Sequence, residues 1–329
     1  MNKLFLWPCI ISVASLGLIG YLQGTAALFI AILLVALEVS LSFDNAVVNA
    51  RVLMRMTPVW QQRFLTWGMF FAVFLTRAVL PIIIVAVSVW ASPIAIATLA
   101  FADPKEYGNL LEGAHYVINS FGAVFLLLVG LKYFFDDAKD THWLEIIEKY
   151  LSRWGSVAAI EIAVVLILLL GAAYMVPAHA VEILMAGIVG MITFILVQGM
   201  ASAFSVDEEQ VHRAGLALFL YLNVLDAAFS LDSVVGAFAL STDLLTIVVG
   251  LGVGAYFVRT LTVYMVRGKT LDSYLYLEHG AHWAILGLAL AMLFGLIMHV
   301  PEPVTGLVGM IFIGLAFYSS MKLTRQTAK

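Results

Sequence analysis

The sequence has little cysteine and little charge. Its 329 residues include one cysteine, Cys9, and only 12% are charged. A single cysteine excludes a disulfide framework within the chain and a thiolate metal cluster. The formal net charge of −4 is small and spread along the chain, so the composition gives no support to nucleic-acid binding.

Motifs of several common enzyme classes are also missing. The sequence contains no GxxxxGK[ST] phosphate-binding loop, no GxGxxG turn and no HExxH metal motif. We therefore expect neither ATP hydrolysis nor zincin-type proteolysis. Ser42 lies near Asp44, but an intramembrane hydrolase would also need an organising histidine. We predict that the protein is not an enzyme and holds no covalently bound cofactor.

Apolar residues, in contrast, dominate the chain. They make up 63% of it, whereas a soluble globular protein is about half apolar. This composition predicts an all-α, polytopic bundle of membrane helices in a lipid bilayer. A membrane helix needs about 20 mostly apolar residues. By this criterion we predict ten spans, near residues 4–22, 26–50, 64–91, 113–135, 156–176, 180–201, 214–240, 244–266, 280–298 and 303–322.

Two of these predicted spans have ambiguous ends. The first follows Lys3 and could be a signal peptide, but it lacks an A-x-A-like cleavage site, so we interpret it as a retained helix. The third is interrupted by Pro81 and is followed by Pro93. Residues 93–102 could extend that span with a kink or form a short re-entrant piece.

The distribution of positive charge predicts the orientation. With ten spans, all but three of the 17 lysines and arginines fall on one side of the membrane. Lys105 falls on the other side, and Arg77 and Arg259 lie within spans. Positive charge accumulates on the cytoplasmic side. The sequence therefore predicts a multi-pass protein of a bacterial-type inner (plasma) membrane, with both termini in the cytoplasm.

The longest predicted loop contains an amphipathic segment, THWLEIIEKYLSRW at residues 141–154. Its apolar residues recur at helical spacing, with charged residues mostly on the other side. This pattern is typical of a helix on the cytoplasmic membrane surface. A helix packed against the bundle is an equally good interpretation.

An acidic motif occurs twice inside predicted spans. LEVSLSFDNAVVNA occupies residues 37–50, and LDAAFSLDSVVGA occupies residues 225–237. Acidic side chains inside a membrane are costly and mark functional sites by default. The two copies align without a gap, and this alignment matches Glu38 with Asp226, Ser42 with Ser230, Asp44 with Asp232, and Asn45 with Ser233.

The similarity continues beyond the motif. Each half carries an arginine next and then a carboxylate with a histidine: Arg77, Glu112 and His115 in one half, and Arg259, Glu278 and His282 in the other. We predict a single transmembrane domain spanning residues 1–329. Its parts are repeat one (about 26–135), linker helices (about 156–201), repeat two (about 214–298) and a final helix (about 303–322). The motif helices are the second and the seventh predicted spans, five steps apart, and because this number is odd the repeats insert in opposite directions. Inverted repeats are typical of secondary transporters.

The charges of the duplicated motifs predict a divalent cation as cargo. If ionised, the four motif acids carry two more negative charges than Arg77 and Arg259 neutralise, and one divalent ion would balance them. Carboxylates, hydroxyls and amides are hard oxygen donors that suit Mn²⁺, Ca²⁺ or Mg²⁺. The candidate metal ligands are Glu38, Ser42, Asp44, Asn45, Asp226, Ser230 and Asp232. We interpret Arg77 and Arg259 as counter-ions rather than gates. Either a proton relay or a solvated interfacial role fits Glu112, His115, Glu278 and His282.

Helical geometry limits how the acids can bind. Asp44 lies six residues after Glu38, which is about 9 Å along a straight helix and about 120° around it. Two carboxylates in those positions cannot grip one ion. Either the helix unwinds here, or Asp44 and Asp232 form the central site while the other acids act elsewhere. We favour the second interpretation.

The S-x-D-N element at Ser42–Asn45, preceded by an acid and paired with a second S-x-D, resembles the TerC family of integral membrane proteins, within the wider LysE-like exporter superfamily. The resemblance covers roughly the second to the ninth predicted span and implies metal-ion efflux, chiefly of manganese, with calcium also associated. It would carry onto Glu38, Asp44, Asn45, Asp226 and Asp232. Ser233 stands where the first copy has Asn45, and the two linker helices and amphipathic loop are typical of a divergent subfamily.

Three functions are consistent with the sequence. The first is export of a divalent metal cation, with manganese favoured and calcium possible. In the second, an exporter of amino acids or other small organic solutes, Arg77 and Arg259 would be ligands. The third is a non-transporting membrane assembly module, for which loop 136–155 rather than the acids would matter. The sequence makes no prediction of oligomeric state.

Overall fold

The protein is described by a computed structural model that covers residues 2–137, 139, 141–157, 159–203, 211–241, 243–268, 271, 274–298, 300 and 302–327. Throughout these residues the regular structure is helical, with no β-strand. The prediction of an all-α, polytopic membrane bundle is therefore confirmed.

Fifteen α-helices and two short helices of other types follow one another along the described chain. The α-helices are α1 (Asn2–Gln23), α2 (Thr25–Leu41), α3 (Phe43–Met54), α4 (Pro58–Phe70), α5 (Leu80–Ser88), α6 (Pro93–Ala102), α7 (Pro104–Gly113), α8 (His115–Phe134), α9 (Glu145–Trp154), α10 (Ile160–Met175), α11 (Ala180–Ala203), α12 (Val211–Leu240), α13 (Leu244–Arg267), α14 (Leu277–Gly295) and α15 (Glu302–Thr327). A π-helix, Phe71–Val79, joins α4 to α5, and a 3₁₀-helix, Pro177–His179, precedes α11.

Among the described residues, six helical segments are long and apolar enough to cross a membrane, and the bent pair α2–α3 would be a seventh. Three further predicted spans coincide with shorter apolar helical stretches, at Ile160–Met175, Gly215–Ser230 and Leu307–Leu323. The protein is thus a multi-pass membrane protein. The count of ten spans stays a prediction.

Prolines and caps set several helix boundaries. Pro81 lies in the first turn of α5 and does not break the segment Pro58–Ser88, which stays helical throughout. Pro93 begins the separate helix α6, which fits the fixed φ angle of proline at a helix start. The side chain of Asp243 accepts a hydrogen bond from Thr246 N (2.9 Å) and thereby caps α13.

The first motif helix is broken between its two acids. α2 ends at Leu41 and α3 begins at Phe43, and their axes differ by 54° at Ser42. Glu38 therefore belongs to one helix and Asp44 to the next. The second motif lies in α12, which is one continuous helix from Val211 to Leu240. A helix that unwinds at the motif and a helix that stays straight were both considered from the sequence. The first copy is broken, and the second copy is continuous.

The two motif helices run antiparallel. Leu34, near the middle of α2, shares an apolar cluster with Val234 and Ala237, near the end of α12. Leu53, at the end of α3, shares another cluster with Phe219 and Leu222, near the start of α12. This opposite order is the one that inverted repeats require. Whether the full three-helix units are inverted stays a prediction.

Glycines allow α13 to approach α2 closely. A Cβ atom added to Gly250 would lie 2.7 Å from the Leu34 Cβ, and one added to Gly254 would lie 2.5 Å from the Glu38 Cβ. Both distances are too short for real side chains. Small residues at such contacts let membrane helices pack backbone to backbone, and here they bring α13 against the helix that carries Glu38.

Candidate functional site

The first acid of the first motif forms a buried ion pair. Arg77 Nη2 contacts Glu38 Oε1, and both residues are at most 2% exposed. Ser42 Oγ donates a second hydrogen bond to the same carboxylate oxygen (3.0 Å). Arg77 lies on the π-helix Phe71–Val79, a helix type found frequently at functional sites.

The first acid of the second motif forms the matching pair. Arg259 Nη2 lies 2.7 Å from Asp226 Oδ2, and both residues are buried. Arg259 Nη1 also donates to the Phe64 carbonyl (3.3 Å), and its guanidinium carbon lies 4.3 Å from the centre of the Phe64 ring. A Cβ on Gly68 would come within 2.4 Å of this guanidinium, so only glycine leaves room for it.

Asn45 joins the two motifs. Its Nδ2 donates to Asp226 Oδ1 on α12 (2.8 Å), and its backbone N–H donates to Asp44 Oδ1 (2.8 Å). The side chain of one motif thus binds the first acid of the other. Since Asn45 lies in the first turn of α3, directly after the break, this bond fixes the new helix against α12.

Asp44 differs from the other described motif acids. It is 4% exposed and makes no ion pair with any described residue. Its second carboxylate oxygen lies 3.6 Å from the position of a Cβ on Gly309, so α15 passes directly over it. A negative charge in the first turn of α3 interacts favourably with the helix dipole.

The structure brings together some, but not all, of the predicted metal ligands. Asp44, Asn45 and Asp226 are neighbours, whereas Glu38 and Ser42 form a separate group with Arg77. Ser230 is buried on α12. The side chain of Asp232 lies outside the described side chains. Within the described part of the chain, no three His, Cys, Asp or Glu side chains converge as a metal cage.

The predicted proton-relay residues lie in matching local contacts. His115 Nδ1 is 2.8 Å from the Glu112 carbonyl, and His282 Nδ1 is 2.8 Å from the Glu278 carbonyl. The Glu278 carboxylate pairs with Arg51 Nε at 3.1 Å. The histidine-to-carbonyl contact occurs in both halves, and the relay itself stays a prediction.

A buried carboxylate that the sequence analysis did not single out lies in the long loop. Glu148 of α9 is 1% exposed and accepts hydrogen bonds from the Trp143 N–H (3.0 Å) and the Trp283 indole (3.0 Å). His279 Nδ1 lies 2.8 Å and Lys139 Nζ 3.6 Å from the same carboxylate. Burial raises the Glu148 pKa, but these hydrogen bonds and charges outweigh it and bring the pKa down to about 2.

A signal for this contact was present in the sequence. The second repeat reads LEHGAHW where the first reads LEGAHY, so His279 is an inserted residue. That insertion supplies the histidine that binds Glu148. α9 is therefore packed against α14 on one side, while Ile146, Tyr150 and Trp154 on its other faces are exposed. The side of α9 that carries Glu148 is packed against the bundle, as one of the two interpretations of this segment predicted. Contact of the exposed side with lipid stays a prediction.

Comparison with known proteins identifies the family. A family model described as "Protein of unknown function (DUF475)" matches residues 43–327. The chain belongs to the DUF475 family. No curated protein and no solved structure matches it. The match begins at the first residue of α3 and covers both Asp44 and the whole of the second motif.

The chain thus places a buried acid, Asp44, directly after a helix break, with the paired acid Glu38 before the break and the paired acid Asp226 on α12. Helix ends leave backbone N–H and C=O groups without intrahelical partners. In transporters, broken helices use such groups together with side-chain oxygens to bind ions. At this break the described side chains of Asp44, Asn45 and Asp226 supply carboxylate and amide oxygens.

Proposed function

We propose that this protein is a secondary transporter that exports a divalent metal cation, with manganese as the favoured ion and calcium as a second candidate. The cation is transported cargo, bound at the junction of the two motif helices. The observation that carries the proposal is Asp44, a buried carboxylate without an ion-pair partner among the described residues, placed at the start of α3.

The two buried ion pairs support a site in which a divalent cation neutralises the remaining motif acids. Glu38 is neutralised by Arg77, and Asp226 is neutralised by Arg259. With these two acids neutralised, the formal negative charge that remains in the motifs belongs to Asp44 and, by the sequence match, to Asp232. Carboxylates inside a membrane would either take up protons or bind a divalent ion. Exchange between those two states would couple cation export to a proton gradient.

The donor atoms support a hard cation. Asn45 follows Asp44 in the chain and its amide contacts Asp226 on α12, and Ser230 lies one turn further along that helix. All of them offer oxygen, which suits Mn²⁺ and Ca²⁺. Cys9, in α1, is exposed and belongs to neither motif, so soft thiolate binding has no support.

The same geometry disfavours the competing functions. Binding of an amino acid would need free arginines, yet the guanidinium groups of Arg77 and Arg259 are buried and paired. A pure assembly module gives no reason to bury Asp44 beside a helix break. We further propose that the protein resides in a bacterial-type inner membrane with both termini in the cytoplasm, on the basis of its lysine and arginine distribution.

Transport in proteoliposomes tests the function. We expect the double variant Asp44→Asn, Asp232→Asn to lose Mn²⁺ transport, because the amides keep the shape but remove both charges. Asp137→Asn, an exposed site in the loop after α8, is the matched control and should transport as the wild type does. Unchanged Mn²⁺ and Ca²⁺ transport by the double variant would refute the proposal.

A further inference from the structure

Several buried side-chain oxygens on α3 and α12 have no hydrogen-bond partner among the residues that the structure describes. They are Asn45 Oδ1, Asn49 Oδ1, Asn223 Oδ1 and Ser230 Oγ. Leaving such a group unsatisfied costs about 1–3 kcal/mol. Four of them on two helices that are hydrogen-bonded to each other therefore call for a physical reason.

The amide orientations of Asn45 and Asn223 are set by the hydrogen bonds that their NH₂ groups donate. Asn45 Nδ2 donates to Asp226, and Asn223 Nδ2 donates to the Phe219 carbonyl (2.7 Å). Because each NH₂ group is engaged, the oxygen is the atom left without a partner. Amides that serve as glue between membrane helices bond each other across the contact. Asn45 acts in this way through its Nδ2, whereas the side-chain oxygens of Asn49 and Asn223 accept no hydrogen bond from a described residue, so gluing the helices does not explain these two.

Their positions form a row. Asn49 lies one turn after Asn45 on the same face of α3, and Asn223 lies about one turn before Asp226 on the same face of α12. Because the two helices run antiparallel, Asn49 and Asn223 lie on the same side of the Asn45–Asp226 hydrogen bond. That side leads to the end of α3 that carries Arg51 and Arg55, which is the predicted cytoplasmic end.

We propose that Asn49 and Asn223 line a hydrated path along which the cation reaches Asp44 from the cytoplasm. The identity of the cargo rests on the proposed function, whereas the path itself does not. Amide oxygens suit this role because they are neutral, hard donors. They can replace part of the hydration shell of a cation without holding it as strongly as a carboxylate would, and weak intermediate binding is what conduction requires.

Thiol accessibility tests the path directly. In a Cys9→Ser background, Asn49→Cys and Asn223→Cys should react with a small cationic methanethiosulfonate added to inside-out vesicles. The matched controls are Val47→Cys and Leu225→Cys, fully buried apolar positions on the same two helices. We expect the asparagine positions to react at least about tenfold faster, because a thiol must be hydrated to ionise and react. Equal rates at all four positions would overturn the path.

Transport measurements test the path by a second route. Asn49→Leu should lower the initial rate of Mn²⁺ uptake into inside-out vesicles by about tenfold, and Asn49→Ser, which keeps a small oxygen donor, should recover most of it. Leu225→Met is the control for a conservative change in the same contact. Equal loss with Asn49→Ser and Asn49→Leu would contradict a ligand role.

The two proposals fail in different ways. If the Asp44 and Asp232 double variant transports normally, the proposed function fails, whatever the labelling shows. If that variant is inactive but Asn49→Cys and Asn223→Cys react no faster than their controls, the path alone fails. Slowing of the reaction at both positions by Mn²⁺ would support the two proposals together.

Discussion

At the residue scale, the two arginines decide which acids remain available. Spacing alone placed Glu38 and Asp44 in one motif and Arg77 some 30 residues later, and it could not show which acid the arginine contacts. The structure pairs Arg77 with Glu38 and Arg259 with Asp226, the matched first acids of the two halves. The repeat thus predicted that Arg77 and Arg259 have equivalent roles. Which acid each arginine contacts depends on how the helices pack, and the local sequence does not show this.

The Asp226–Arg259 pair predicts a pattern of stabilities. Arg259→Met should lower the free energy of unfolding by about 3–5 kcal/mol, because it leaves Asp226 buried and charged. Adding Asp226→Asn removes that charge and should restore the larger part of the loss. Thermal unfolding of the purified protein in detergent measures both effects.

The corresponding variants of Glu38 and Arg77 provide an independent repeat of this experiment, with Asp137→Asn as a surface control. For each pair, the two single variants and the double variant form a double-mutant cycle that isolates the coupling energy between the acid and the arginine. If the double variant Asp226→Asn, Arg259→Met lost as much stability as the sum of the singles, the pair would not be coupled.

At the element scale, the two copies of the motif adopt different backbones. Their sequences align without a gap, yet α2–α3 is bent by 54° at Ser42 and α12 is continuous. The period of a helix cannot reveal such a break, because both halves keep helical spacing on either side of it. The π-helix that carries Arg77 is likewise confined to the first half, since the residues around Arg259 form a regular α-helix.

The loop helix α9 shows a second limit of local patterns. Its amphipathic spacing predicted a helix, and the structure has one at Glu145–Trp154. The buried position of Glu148, however, depends on His279 and Trp283, more than 130 residues later. Only the one-residue insertion in the second repeat hinted at this contact.

The Glu148 contacts predict how α9 responds to substitution and to pH. Glu148→Gln should release α9 from α14 and speed hydrogen exchange at residues 141–154 by about tenfold or more, since it removes a buried, ionised acceptor. Glu145→Gln is the matched control, because that acid is exposed and its ion pair within the described chain is with Lys149, which is also exposed. Exposed pairs of this kind contribute little, so exchange should not change.

The sign of the pH effect follows from the depressed pKa. A carboxylate whose pKa is about 2 when folded and about 4.3 when unfolded stabilises the folded state above the higher value. That contribution is lost as the pH falls from about 4.3 towards 2. After correction for intrinsic exchange, protection of residues 141–154 should therefore decline below about pH 4 in the wild type and not in Glu148→Gln. A decline that was equal in both proteins would contradict this assignment.

At the scale of the whole molecule, the antiparallel course of α2–α3 and α12 agrees with the parity of the predicted spans. An odd number of steps between the motif helices requires opposite insertion, and the apolar clusters place the end of α3 beside the start of α12. Composition was enough to predict the class of fold. The apolar stretches of α10, α12 and α15 are shorter than the length required of a span, which is why length and hydropathy yield six or seven spans in the described residues and not the ten predicted.

The orientation can be tested across one helix. α8 separates Glu106, in α7, from Asp137, in the loop that follows α8, and both side chains are exposed. In a Cys9→Ser background, Glu106→Cys should react with a membrane-impermeant maleimide on intact cells, whereas Asp137→Cys should react only after permeabilisation. The expectation follows from the lysines and arginines that cluster on the side of Asp137, because positive charge marks the cytoplasmic face. If both positions were labelled on intact cells, one of these two loops would not be on its predicted side of the membrane. The reversed pattern would be labelling of Asp137→Cys on intact cells and of Glu106→Cys only after permeabilisation. A single added or missing span before α8 would produce it. That result would refute the predicted arrangement of the first four spans and, with it, the cytoplasmic direction of the path that ends at Asp44.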